Sequence, residues 1–153
     1  MIEGAENAAG ESATVATLRR ALLAILMLGM VGIVSELFLI EHTEGYWQIA
    51  PVALLTAGIF AVAATALKGN HPMSIRALQG IMVLFVLSGF AGMILHYLGN
   101  ADFEREMKPE IGGLTLIKEA LMGATPALAP GTMIQLGLIG LASTFRHPAL
   151  RRT

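Results

Sequence analysis

Apolar residues fall into four blocks separated by short polar or charged breaks. The first runs over residues 21–40, the second over 47–67 and the third over 77–98. Each is close to the ~20 residues a helix needs to cross ~30 Å of hydrocarbon. The fourth, 130–145, is too short alone at ~1.5 Å per residue. Starting it with Thr125 as N-cap and Pro126 at the first helical position gives a full span, which Pro130 kinks one turn in. The pattern therefore predicts an all-α fold, a bundle of four transmembrane helices. Pro51 falls in the opening turn of the second span, where proline is tolerated, and Lys68-Gly69-Asn70 closes that span.

The polar stretches complete the layout. Residues 1–17 are small, polar and acidic and read as a disordered tail. Residues 18–148 form the membrane domain and 149–153 a second tail. The acidic start, with no Ala-x-Ala after the first apolar block, does not read as a signal peptide. Between the third and fourth spans the chain is highly charged as far as Glu110 and breaks at Gly112-Gly113. Residues 114–122 then place Leu114, Ile117 and Leu121 on one helical face, away from Lys118 and Glu119. This predicts a short interfacial helix, with those three residues buried against the bundle or lipid.

Composition supports a membrane setting. The 153 residues are 55% hydrophobic and 14% charged, with mean hydropathy +0.68, against about 25% charged in a soluble domain. A soluble chain this short would leave much of that apolar surface wet. The net charge of −1 offers no basic field for nucleic acid. The expected partners are the lipid bilayer and a membrane protein or a second copy of the chain. Cys is absent, which excludes disulfides, thiolate metal sites and cysteine nucleophiles.

Basic residues set the orientation. Arg19, Arg20, Lys68, Arg76, Arg146, Arg151 and Arg152 lie on one side, and Arg105, Lys108 and Lys118 on the other. Both termini are therefore expected in the cytoplasm of a bacterial cell, with the chain in the inner membrane. Tyr46, Trp47 and Tyr97 mark the outer boundary.

The first and third spans share a pattern at a sixty-residue offset: Gly29, Gly32 and Glu36 against Gly89, Gly92 and His96. Positions i, i+3 and i+7 share a helix face, and small residues let helices approach closely. Glu36 and His96 are therefore expected to face inward at similar depth and to pair, with Asn100 one turn beyond His96. Gln135 in the fourth span is expected to make an interhelical hydrogen bond. Outside, Glu41, His42, Glu44, Asp102, Glu104 and Glu106 form an acidic cluster with oxygen and imidazole donors. Its spacing matches no metal motif, so it reads as a solvated loop, and no metal or cofactor is expected. Four spans with a Glu in the first are similar in architecture to the small multidrug-resistance transporters, although Glu36 lies nearer the outer edge than a mid-membrane coupling carboxylate.

Three function classes fit. The first is a non-enzymatic membrane subunit or scaffold, favoured because no catalytic constellation is visible. The second is a proton- or cation-coupled transporter using Glu36 and His96. The third is a metal-dependent membrane enzyme with an outer carboxylate and histidine site.

Overall fold

A computed structural model describes the backbone over residues 2–67 and 71–151, and side chains over 13–67 and 71–150. Five α-helices follow in order: α1 (Ile2–Leu39), α2 (Tyr46–Leu67), α3 (Pro72–Met107), α4 (Gly113–Leu121) and α5 (Gly131–Thr144). A 3₁₀ turn, Pro148–Arg151, closes the described chain. Among the described residues there is no strand. Lys68, Gly69 and Asn70, expected to cap α2, lie outside them.

Three helices contain stretches long and apolar enough to cross a bilayer: Ala13–Leu39, Tyr46–Leu67 and Pro72–Met107. Only 11%, 28% and 22% of their most apolar windows is buried. Leu28, Phe60, Leu87 and Phe90 all stand outward. A water-soluble fold would leave this surface in water at ~25 cal/mol per Å²; hydrocarbon removes that cost.

The helices form a ring. α1 packs on α2 and α5, and α3 packs on α2, α5 and α4. The core holds Leu26, Met30, Leu55, Val62, Leu78, Met82, Phe85, Met133 and Leu136. On α1 the inward stripe is Leu26, Met30, Ile33 and Leu37, a spacing of four, three and four that keeps one face toward the bundle. Glycine permits the closest crossings. A Cβ on Gly89 would sit 2.9 Å from both the Ile134 nitrogen and the Pro130 oxygen, which are backbone atoms of the facing segment. A Cβ on Gly140 would collide with Met82.

Several element bounds differ from those the apolar blocks suggest. Helical backbone begins at Ile2, inside the stretch expected to be a disordered tail. Extending an existing helix needs no new nucleus. α3 does not stop at Gly99-Asn100 but continues to Met107. Its last turns carry ion pairs at i,i+3 and i,i+4 spacing, Asp102 with Arg105 and Glu104 with Lys108, both at 3.3 Å. Part of the expected C-terminal tail, residues 149–151, belongs to the closing 3₁₀ turn, which touches α3.

The last change concerns the fourth apolar block. Regular helix starts at Gly131, with Pro130 as N-cap, and not at Pro126. Pro130 has no N–H to donate to the preceding turn. The chain instead uses i→i−3 bonds: the amides of Ala129, Gly131, Thr132 and Met133 donate to the carbonyls of Pro126, Leu128, Ala129 and Pro130 at 2.9–3.2 Å. The 14-residue α5 is about 21 Å long at ~1.5 Å per residue.

The short helix expected between the third and fourth apolar blocks forms as α4. Leu116 and Ala120 pack on α3 with Ala101, Tyr97 and Ile111. Leu114, Ile117 and Leu121 are exposed. Ala101 and Ala120 let the helices meet closely, so the small-residue side docks and the larger apolar side chains point away from the protein.

Candidate functional site

Polar side chains gather at one end of the bundle, where the α1–α2 turn, the last turns of α3 and residues 120–126 meet. Their placement begins with how α1 ends. The Glu41 amide donates to the Phe38 carbonyl at 3.1 Å and the His42 amide to the Leu37 carbonyl at 2.8 Å. Glu41 is left-handed, with φ 53°. Together these make a Schellman motif, normally completed by glycine. Glu41 occupies that position at a conformational cost, and the turn carries His42 back toward α3. α2 then starts under a side-chain cap, the Glu44 amide donating to Gln48 Oε1 at 2.8 Å.

His96 lies on the α3 face that contains Gly89 and Gly92, as expected, and this face packs on residues 130–134. Its Nδ1 is 3.1 Å from the Pro126 carbonyl oxygen. A carbonyl only accepts, so Nδ1 carries the proton and Nε2 keeps its lone pair. The His42 ring sits beside it, with centroids 6.4 Å apart and planes inclined by 58°. Partial burial, with the neighbouring His96 imidazole adding to it, holds His42 below the ordinary histidine range.

Glu36 does not join His96. It is exposed, and among the described residues no hydrogen bond or ion pair reaches its carboxylate. The reason is rotational. Leu37, seven residues from Met30, holds the inward stripe, and Glu36 lies one step of ~100° away. The glycine pattern on α1 is also not equivalent to that on α3. Gly29 faces Leu136, but Gly32 faces open space. His96 takes a backbone carbonyl where a carboxylate was expected.

Asn100 has a larger role than the sequence suggested. It is 5% exposed. Its Nδ2 donates to the Ala120 carbonyl at 2.8 Å and the Thr125 carbonyl at 2.6 Å, and its Oδ1 accepts from the Thr125 amide at 3.3 Å. One side chain thus ties α3 to the end of α4 and to the segment leading into α5. Gln135 is exposed and has no hydrogen bond among the described residues, because Met133, Leu136 and Gly137 take the inward side of α5.

The acidic cluster disperses. Asp102 and Glu104 pair with basic neighbours on α3, while Glu41, Glu44 and Glu106 are exposed. Among the described residues no three His, Asp or Glu side chains converge as metal ligands.

The opposite end carries polar contacts that sequence reasoning missed. Arg19 donates to the Phe145 carbonyl at 3.0 Å, joining α1 to the end of α5. His71 and His147 each precede a proline and accept, through Nδ1, the amide two residues on, from Met73 at 3.3 Å and Ala149 at 3.2 Å. His-Pro-x thus opens a helical turn twice, a signal the sequence offered at both places. Partial burial and the nearby Arg19 charge hold His147 below the ordinary histidine range.

No family model, no curated protein and no solved structure matches this chain, so its functional reading rests on geometry.

Proposed function

We propose that the chain is a four-span protein of the bacterial inner membrane, with both termini cytoplasmic, acting as a non-enzymatic membrane subunit. The observation that carries this reading is the filled bundle axis. Leu26, Met30, Leu55, Leu78, Met82 and Phe85 are all 0% exposed. The buried polar groups Thr65, Ser143 and Thr144 donate to carbonyls of their own helices. A transport path needs polar groups and water along that axis, whereas an apolar packed axis suits a rigid partner-binding element. The transporter reading also loses the Glu36–His96 pair on which it depended.

The fourth crossing is supported by the turns before α5. Residues 126–130 form turns with i→i−3 bonds and extend the apolar segment ahead of the 14-residue α5 toward the hydrocarbon thickness. The exposed Leu114, Ile117 and Leu121 suit α4 to the outer interface.

The test uses the full chain in proteoliposomes under proton and cation gradients, beside quantitative purification from native membranes. The expected result is no flux and a fixed stoichiometric membrane partner. Flux abolished by Glu36→Gln in a folded protein would restore the transporter. With cysteines introduced at Thr43 and Asn70, external labelling should reach only Thr43; labelling of Asn70 alone would invert the topology.

A further inference from the structure

We propose that His42 and His96 form a two-imidazole site for an exchangeable divalent transition-metal ion of the zinc type at the outer end of the bundle. The proposal does not depend on the functional reading above. Imidazole nitrogen suits zinc, copper and nickel. With a metal–nitrogen bond of about 2.0–2.1 Å and tetrahedral geometry, two rings on one zinc ion have centroids about 5 Å apart. The observed 6.4 Å is wider than that, so sharing an ion requires the rings to close by about 1 Å, a movement within reach of side-chain rotation in the α1–α2 turn.

Three features distinguish this pair from two histidines that happen to be near each other. First, His96 Nδ1 is committed to the Pro126 carbonyl at 3.1 Å. A metal-binding histidine usually gives its other ring N–H to a carbonyl or carboxylate, which fixes the tautomer and aims the free nitrogen. Second, neither His96 Nε2 nor the His42 ring has a hydrogen bond among the described residues, so both rings offer a lone pair. Third, His42 is held in place by a helix-ending motif that puts a non-glycine residue, Glu41, in the left-handed region. Such strain is retained where surrounding structure over-determines it, and it concentrates at functional positions. The rings come from separate elements, so an ion between them would clamp the α1–α2 turn onto α3. Water completes the coordination, since His42 and His96 are half-buried and reached from the outer face.

The experiment is zinc titration by calorimetry of the full chain in nanodiscs, purified without a histidine tag. Wild type should bind one Zn²⁺ per chain. His42→Ala should weaken binding at least about tenfold, the scale of disturbing a metal-site contact, with little change in the metal-free melting temperature because the His42 ring makes no hydrogen bond among the described residues. His96→Ala should weaken it as much. Glu41→Gly removes a carboxylate while suiting the left-handed turn, and should leave affinity within about twofold. Absence of saturable binding in wild type overturns the proposal. So does unchanged affinity in His42→Ala, and so does a loss in Glu41→Gly equal to that in His42→Ala, which would assign the ion to the acidic residues.

Discussion

Replacing Asn100 by leucine would test how the outer cap is held. The volume is nearly kept, but three hydrogen bonds disappear: two donated to Ala120 and Thr125 and one accepted from Thr125. At about 0.5–1.5 kcal/mol each, three bonds give roughly 2–4 kcal/mol. The upper half of that range applies if the two carbonyls and the Thr125 amide stay dry, since unpaired buried groups cost about 1–3 kcal/mol apiece. The lower half applies if water enters from the outer face. Local structure should respond before the core does, because among the described helices α4 packs on α3 alone. The assay is hydrogen exchange of residues 113–126 in a membrane mimetic, with thermal unfolding beside it. Protection of that segment should fall by more than an order of magnitude, while residues in α1 and α2 change little. Asn100→Asp should be worse than leucine at neutral pH, because a carboxylate would then face two carbonyl oxygens. Unchanged protection in Asn100→Leu would refute the reasoning and leave Leu116 and Ala120 packing as the real anchor.

Two further predictions address the bundle and the end that carries Arg19 and His147. Gly89→Ala should destabilise by about 1–3 kcal/mol, because the new methyl meets backbone atoms of the α5 segment and the helices must part; Gly99→Ala, which meets nothing within 4 Å, should be neutral or gain up to about 1 kcal/mol from helix propensity, both read by thermal unfolding. His147 titrates below its ordinary value when folded, so the unfolded chain takes up the proton first. Its stabilising effect is therefore complete above the unfolded pKa of about 6.5 and is lost as pH falls through the lower folded value. Between about pH 7.5 and pH 5 the wild-type melting temperature should drop more than that of His147→Gln, and an equal drop would remove His147 as the cause.

Much of this protein was legible from hydrophobic periodicity and block length alone. The three long apolar helices and the amphipathic outer helix follow from these, because a bilayer imposes a fixed length and a helix a fixed period. Periodicity puts His96 on one face with Gly89 and Gly92, and in the structure its ring meets the Pro126 carbonyl. What it could not supply was rotation and termination. Glu36 shares a spacing with Gly29 and Gly32, but neighbouring helices chose the stripe through Met30 and Leu37 instead, and only packing decides which face of an apolar helix turns inward. Block length misjudged where α5 begins, because hydropathy does not register the amide that Pro130 lacks. The meeting of His42 with His96 was illegible for a related reason. It depends on Glu41 adopting a left-handed conformation that sequence assigns to glycine, in a turn closed by the Glu41 and His42 amide bonds to Phe38 and Leu37.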